Sequence, residues 1–387
     1  MTTWRTGLRK ALPLSWAEVL VLLALAALAA LGLGAAVVRF MRGLGATTGL
    51  SDAYPWGIWI SFDVFIVPFS AGAFTLAAVV YLLNDERYHV LVPPVVLAGL
   101  LGYAMVCAVL LVDLGLPHRF YNIIAFLNPK SFMFEISWCV MLYLLVLVLE
   151  FSPVVLEKLG WEGPHRLIRT FTIVFVSAGI ILSSLHQSSL GSMWLLLQAK
   201  LHPLWWTPIL PLLFLLTAVA GGLCMVILVS VLAAKAYGRE VHTHLLANLG
   251  KAVAAFLLVY GGLKFVDLAV AGELGLLFRP GALTLLFWAE VLVGIVAPAL
   301  IFGRRRLRES SGGLLAGSLV GLVGLALNRA NISMFAIWRP AGTTYVPSWM
   351  EAAILVGALA AAVLVFALAA RFLPMLGPAA GEGADHG

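Results

Sequence analysis

Ten apolar stretches, each long enough to cross a lipid bilayer, follow one another along the 387-residue chain. A helix needs about 20 mainly apolar residues to span the hydrocarbon core of a membrane. Only 11% of the residues are charged, well below the usual share in a soluble domain. Lipid cannot hydrogen-bond to exposed backbone groups, so such stretches must be helical. The sequence therefore predicts an all-α, polytopic integral membrane protein with about ten transmembrane helices.

The predicted spans divide into two groups of four with one flanking helix at each end. We predict a single membrane domain over residues 1–374, with a first four-helix bundle at 57–186 and a second at 206–330. Residues 375–387 are rich in glycine and alanine and are predicted to form a disordered tail. The spans themselves are predicted at 15–38, 57–83, 92–114, 131–151, 166–186, 206–234, 247–271, 281–303, 312–330 and 350–373.

The basic residues indicate how the chain is oriented. Fifteen of the 24 Lys and Arg residues lie at the termini or in connections on the same side, eight lie in the other connections, and Lys264 lies inside a span. Cytoplasmic loops carry the excess of Lys and Arg, so we predict a bacterial inner-membrane protein with both termini in the cytoplasm. The outer connections are longer and richer in aromatic residues, which suggests that function lies on that face.

Four protonatable side chains are predicted near the outer ends of four different spans: Asp63, Asp113, Glu135 and His186. At about 1.5 Å per residue, all four fall within roughly 10 Å of the outer boundary, with His186 at the end of span five. Ionisable groups inside spans usually mark a site or a pathway, although headgroup solvation is the alternative explanation. Tyr103, near the middle of span three, is either a packing residue or part of a proton path.

A second group of charges lies in the predicted second bundle. Lys264 and Asp267 are spaced i to i+3 on one helix face, which lets them interact. Glu290 and Arg329 are candidates to join them. These residues either form charge pairs that stabilise the second bundle or provide a second proton route.

The sequence argues against a metal or haem centre in this chain. Cys107, Cys139 and Cys224 are far apart and lie in apolar segments, so they lack the spacing of an iron–sulfur or zinc site. A membrane b-type haem usually needs two histidine ligands. Of the eight histidines, only His186 is predicted near the interior of a span.

Quinone chemistry fits the polar layer better. Reduction of a quinone adds two protons, so its site needs proton donors and acceptors beside a hydrophobic slot. Asp63, Glu135 and His186, with Trp56 and Trp59 close in sequence to the first of them, offer such a setting. We therefore expect a lipid-soluble quinone to exchange electrons with a partner protein that holds metal clusters.

The alternative class is a secondary transporter or proton channel. Such proteins carry inverted repeats and broken helices that meet at the midplane of the membrane. Pro68 and Gly72 do interrupt span two. The predicted charged layer, however, lies near one surface, which favours the quinone hypothesis.

Several short strings occur together over residues 54–374 in a combination that resembles the NrfD-type membrane subunits. This superfamily includes the membrane anchor of polysulfide reductase, and the likeness is greatest to the HybB-type, haem-free membrane subunits of periplasmic nickel–iron hydrogenases. The strings are YPWGIWISFD ending at Asp63, FE at Glu135, LEFSP ending at Pro153, HQSSLG from His186, KLHPLW from Lys200, FWAE ending at Glu290 and PSW ending at Trp349.

The resemblance implies a menaquinone- or ubiquinone-reactive site near the periplasmic face, with no haem or iron–sulfur cluster in this chain. It implies two partners, a ferredoxin-like periplasmic iron–sulfur subunit and a catalytic metalloenzyme subunit, with a hydrogenase as the expected complex. The chain would thus be the quinone-binding subunit of an oxidoreductase, not catalytic on its own, in contact with lipid and not with nucleic acid. Tyr103, Glu135 and His186 match positions regarded as functional in the HybB type, and Asp63 matches a recurring acid.

The resemblance also suggests residues that bind the quinone or the partner. Asp113 matches another recurring acid, but many relatives have Asp-Leu-Gly-Arg-Pro where this chain reads DLGLP from Asp113. Arg119 is the expected substitute for the missing arginine. Gln187 and Ser188, which directly follow His186, are expected to join Trp56 and Trp59 around the quinone.

Overall fold

The computed structural model describes residues 15–340 and 342–376. Over these ranges, ten helices have the length and composition needed to cross a membrane, and no β-strand is formed. This confirms the predicted all-α, multi-pass fold. Residues 377–387 of the predicted tail and the basic residues of the first ten positions lie outside the described ranges. The helices are α1 (Trp16–Arg42), α2 (Ile58–Tyr81), α3 (Glu86–Asp113), α4 (Phe132–Leu159), α5 (Thr172–Leu195), α6 (Leu210–Ala236), α7 (Thr243–Val270), α8 (Ala282–Gly303), α9 (Ser311–Phe335) and α10 (Trp349–Phe372).

Consecutive helices pack side by side in two groups. In the first group, each of the helices α2 to α5 packs against the next, and α5 also contacts α2. In the second group, each of the helices α6 to α9 packs against the next, and α9 also contacts α6. Helix α6 also packs along both α5 and α2, while α1 and α10 pair with each other and lie against α3. These contacts are compatible with two bundles, but the extensive contacts of α6 join them, so the predicted boundaries at 57–186 and 206–330 remain a prediction.

Helix α2 is broken where it meets the second group of helices. Pro68 has no N–H group for the helix ladder, and the α-helical pattern is interrupted at Ala71. The next residue, Gly72, packs directly on Gly222 of α6, where a Cβ would lie only 2.3 Å from the Gly222 carbonyl oxygen. Glycine is needed at this position because the two backbones touch.

Helix α5 differs from its predicted bounds of 166–186. A separate amphipathic helix covers Glu162–Thr170, and α5 then runs from Thr172 to Leu195. The serine-rich string does not end the helix, because its hydroxyls can donate to backbone carbonyls of the preceding turn. The Ser188 hydroxyl, for example, donates to the Leu185 carbonyl at 3.0 Å. The prediction that His186 ends the span is therefore wrong: it lies nine residues before Leu195, about 14 Å inside the helix end.

The longer connections, residues 43–57, 114–131, 196–209, 271–281 and 336–348, lie at one end of the helices, which we call the long-loop face. Glu351 at the start of α10 fixes part of this face, because its carboxylate accepts the Gly49 N–H at 2.8 Å and the Tyr345 hydroxyl at 2.6 Å. Tyr345 stacks on Tyr54, with ring centroids 4.7 Å apart. Burial, followed by the neighbouring Glu351 carboxylate, raises the pKa of Tyr345, which keeps the hydroxyl a donor.

The opposite end of the helices, which we call the short-loop face, carries the connections 82–85, 160–171, 237–242 and 304–310. The connection 160–171 contains the amphipathic helix Glu162–Thr170, and the other three have four to seven residues, with one helical turn at Arg305–Arg308. The two faces therefore differ in the amount of ordered structure outside the spans.

Candidate functional site

A buried tyrosine–histidine pair joins α3 to α5. The Tyr103 hydroxyl and His186 Nδ1 are 3.0 Å apart, and the two side chains are only 0% and 1% exposed. The Tyr103 ring also meets the ring of Tyr143 on α4 edge-on, with centroids 4.6 Å apart. A buried tyrosine hydroxyl normally has a hydrogen-bond partner, and for Tyr103 this partner is the protonatable side chain of His186 on another helix.

Glu135 joins the same region from α4. It lies three residues after the start of the helix, and its Oε1 accepts the hydroxyl of Ser189 on α5 at 2.6 Å. Ser189 is three residues after His186, which places the two on successive turns of α5. Glu135 is half-buried, whereas His186 is buried. The structure thus brings Tyr103, Glu135 and His186 to the interface of three adjacent helices, with Glu135 nearer to the long-loop face.

Asp63 of α2 and Asp113 of α3 are not part of these hydrogen bonds. Asp63 on α2 is 5% exposed, and neither of its carboxylate oxygens has a hydrogen-bond partner among the described residues. The charge of Asp113 acts on Asp63, and the charges of Arg39 of α1 and Glu351 of α10 act on Asp113. Arg39 is itself buried and donates to the Leu114 carbonyl at 2.5 Å. Within the predicted polar layer, hydrogen bonds therefore involve Glu135 and His186, whereas Asp113 is associated with Arg39 of α1.

The two tryptophans predicted to line the site point in different directions. Trp59 is 1% exposed and packs against α1, α3 and α10, and its indole N–H donates to the Glu351 carbonyl at 3.2 Å. Trp56 is half-buried and meets Trp194 of α5 edge-on, with centroids 5.1 Å apart. Trp56 therefore contacts the helix that carries His186, whereas the indole N–H of Trp59 binds to α10.

The remaining predicted binding residues have separate environments. Gln187 is fully buried, and neither atom of its amide has a hydrogen-bond partner among the described residues. Ser188 uses its hydroxyl within its own helix. Arg119 is exposed in the short turn Pro117–Arg119, at the long-loop face. Of these three residues, Gln187 is therefore the one whose buried polar atoms can still form hydrogen bonds with a ligand.

Sequence reasoning missed several residues of this region, chiefly Tyr143 and Glu150. On α4, Glu135, Cys139, Tyr143 and Glu150 are spaced by four, four and seven residues, which puts them on one side of a helix. That stripe faces α5, since Gly179 of α5 lies against both Tyr143 and Glu150. The spacing was the signal that could have identified them.

A second buried polar network occupies the space between α7, α8 and α9. The Lys264 ammonium forms a close ion pair with Glu290, and not with Asp267 as the i to i+3 spacing suggested. The Glu290 carboxylate also accepts the Trp205 indole N–H at 2.7 Å and the Asn331 amide at 2.8 Å. Glu290 lies across the helix interface, so its partner could not be found from spacing along one helix.

Arg329 belongs to the same network. It donates to Asn328 Oδ1 at 2.7 Å and to the Thr217 hydroxyl at 2.8 Å, and its guanidinium lies 3.7 Å from the centroid of the Phe214 ring. Asn328 in turn donates to Glu290 at 2.8 Å. This extensive pairing offsets the cost of burying charge and supports the interpretation that the network stabilises the second group of helices.

Comparison with known proteins places the chain in a family. A family model described as "Polysulphide reductase, NrfD" matches residues 46–341. The chain belongs to the NrfD family. The matched range includes α2 to α9 and therefore the whole region around Tyr103, Glu135 and His186, so the resemblance noted in the short strings is confirmed.

Three curated relatives match the NrfD chain over most of their length. A protein of Nitratidesulfovibrio vulgaris is 35% identical and covers 89% of this chain and 92% of its own. The probable Ni/Fe-hydrogenase 2 b-type cytochrome subunit of Escherichia coli is 33% identical, with 88% of each chain covered. The integral membrane subunit of menaquinone reductase from Nitratidesulfovibrio vulgaris is 30% identical and covers 89% of this chain and 88% of its own.

Proposed function

We propose that this chain is the quinone-reactive membrane subunit of an oxidoreductase complex, passing electrons between membrane quinones and an iron–sulfur partner. The observation that carries the proposal is the buried contact of Tyr103 with His186, next to the Glu135–Ser189 hydrogen bond, inside a chain from the NrfD family. Two relatives are named as subunits of a menaquinone reductase and of a hydrogenase, which supports a quinone-linked complex.

A bound quinone would supply the redox chemistry, since its conversion to quinol takes up two electrons and two protons. The residues of the chain would hold and move those protons. With the Tyr103 hydroxyl as donor, His186 Nδ1 is the acceptor, and the imidazole proton stays on Nε2. We propose that this Nε2–H and the Glu135 carboxyl exchange protons with the quinone oxygens. Asp63, whose buried carboxylate has no hydrogen-bond partner among the described residues, is proposed to support the site.

Unpaired polar atoms on the neighbouring face of α5 support a ligand in this region. Trp194 lies seven residues after Gln187, on the same side of α5, and its indole N–H is also buried without a partner among the described residues. Buried polar groups normally find partners. The Gln187 amide and the Trp194 N–H would bind and orient the quinone head group, with Trp56 packed beside them.

The partner would dock on the long-loop face. Stacking of Tyr54 on Tyr345 and the hydrogen bonds of Glu351 order this face, as a docking surface requires. We propose that it faces the periplasm, that both termini are cytoplasmic, and that the partner is a ferredoxin-like iron–sulfur subunit. The catalytic subunit is proposed to be a hydrogenase, which the name of the Escherichia coli relative supports.

We propose that the chain works without haem, although the same relative is named a b-type cytochrome subunit. His186 is the only buried histidine among the described residues. A haem held by two histidines inside the bundle would need a second buried ring. The residues present therefore do not fit that group.

Replacement of Glu135 by Gln and of His186 by Ala tests the site. We expect each change to reduce quinone-linked turnover of the assembled complex by at least about 100-fold, measured with a soluble naphthoquinone analogue. His244→Ala, at the exposed start of α7, is the control and should keep full activity. Normal quinone turnover in both site variants would remove the assignment. Ion or solute flux through the purified chain in liposomes would instead favour the transporter alternative.

A further inference from the structure

The short-loop face contains an open cavity of about 1110 Å³ between α3, α4, α5 and the amphipathic helix Glu162–Thr170. Its outer wall includes exposed charged side chains, among them Glu157 and Arg166. Glu150 and Tyr81 also line the cavity and are less exposed than these charged side chains. We call this space the vestibule, because it opens at the face opposite to the Glu135 end of the proposed quinone site.

Glu150 lies where the vestibule meets the interior of the bundle. It is nine residues before the end of α4, which places it about 14 Å from that end. A Cβ at Gly179 of α5 would lie 3.6 Å from Glu150 Oε1 and 3.5 Å from the Tyr143 ring. The missing side chain at Gly179 therefore allows the Glu150 carboxyl and Tyr143 to approach the same point between α4 and α5.

Hydroxyl groups continue from this point to His186. Ser183 lies four residues after Gly179 and three before His186, so the three share one face of α5. The Ser183 hydroxyl is near those of both Tyr143 and Tyr103, and the Tyr103 hydroxyl contacts His186. Ser183 Oγ and the Tyr143 hydroxyl are buried and are not paired in hydrogen-bonding geometry. Hydroxyl rotation or one water molecule closes such a gap in a proton-conducting chain. Protonatable groups thus run from the vestibule to the site, on three adjacent helices.

We propose that the protons of the quinone reaction travel through the vestibule and along Glu150, Tyr143, Ser183 and Tyr103 to His186. This inference rests on the proposed function. Each quinone that becomes quinol takes two electrons from the iron–sulfur partner at the long-loop face and two protons from the short-loop face. Quinol oxidation runs the same steps in reverse. Because electrons and protons arrive from opposite faces, turnover moves charge across the membrane.

Proteoliposomes that contain the assembled complex test the route. A pH-sensitive dye is placed on the short-loop side, and turnover is started with the soluble naphthoquinone analogue. We expect the wild-type complex to exchange two protons per quinone on that side. Glu150→Gln, which keeps the size of the side chain, should lower both turnover and the dye signal by at least about tenfold. Glu157→Gln is the matched control, since it changes a carboxyl of the same vestibule that is exposed and outside the proposed route.

A second variant guards against an indirect effect of Glu150→Gln on folding. Tyr143→Phe keeps the ring contact with Tyr103 and removes only the hydroxyl, so it should lose the same proton signal. Wild-type turnover in both variants, or proton exchange on the long-loop side alone, would overturn the route and leave the quinone reaction intact. A wild-type complex that does not react with the quinone analogue would refute the proposed function, and the route with it.

Discussion

Removal of one hydroxyl group separates the role of Tyr103 in the proton reaction from its role in packing. In Tyr103→Phe the ring stays against Tyr143, because the phenyl ring has the same shape. The change takes away the group that lies 3.0 Å from His186 Nδ1. Since His186 is 1% exposed, water cannot readily replace the lost partner.

The structure sets the size of two effects. A buried polar atom left without its partner costs about 1–3 kcal/mol, so the free energy of unfolding should fall by that amount. Loss of a positioned proton-transfer group slows a reaction by about 10²–10⁴-fold. In the proposed reaction Tyr103 acts through His186, so we expect the lower end, a decrease in kcat of about 100-fold. KM for the quinone analogue should change little.

Thermal unfolding in detergent and steady-state turnover of the assembled complex measure the two effects separately. Tyr237→Phe is the control, because its hydroxyl donates to the Ala367 carbonyl at 2.9 Å in a half-buried position away from the site. It should cost about 0.5–1.5 kcal/mol of stability and leave kcat unchanged. If Tyr103→Phe loses the expected stability but has the same kcat as the wild type, the proton-transfer role is refuted.

Three further predictions concern the fold and the cofactor. Lys264→Met leaves the Glu290 carboxylate buried without its cation and should lower the free energy of unfolding by about 3–5 kcal/mol. The control Lys251→Met, at an exposed position, should change the free energy of unfolding by less than about 0.5 kcal/mol. Equal melting temperatures of the two variants would contradict this prediction. Gly72→Val places side-chain atoms against the backbone of α6 and should prevent assembly, while Gly34→Val, which meets no neighbour, should assemble normally on size-exclusion chromatography. The absorption spectrum of the purified chain should lack a Soret band, and a stoichiometric one would show that haem is bound.

Local chemistry was enough to predict the class of the fold. Ten apolar stretches must be helices because the bilayer offers no other partner for backbone groups, and the structure has ten such helices over the described residues. The ends were harder to predict where polar side chains satisfy themselves inside a helix. Ser188 is such a case, and for this reason α5 continues nine residues beyond His186.

The residue types of the candidate site could also be identified from the sequence, because protonatable groups in spans are costly and therefore uncommon. What the sequence could not give was the direction in which each one points. Ser189, three residues after His186 on α5, donates to Glu135 of α4, whereas Asp113 lies near Arg39 of α1 and Trp59 packs against α1 and α10. That division depends on how each helix is rotated about its axis.

Only the tertiary structure decided which charges pair and which groups form a continuous chain. Lys264 has Asp267 one turn away on its own helix but pairs with Glu290, which is 26 residues distant in sequence. Likewise, Gly179 brings Glu150 and Tyr143 together from an adjacent helix. Helical periodicity fixes which residues share a face, but contacts between faces are set by the packing of several helices at once, and no single stretch of sequence contains that information.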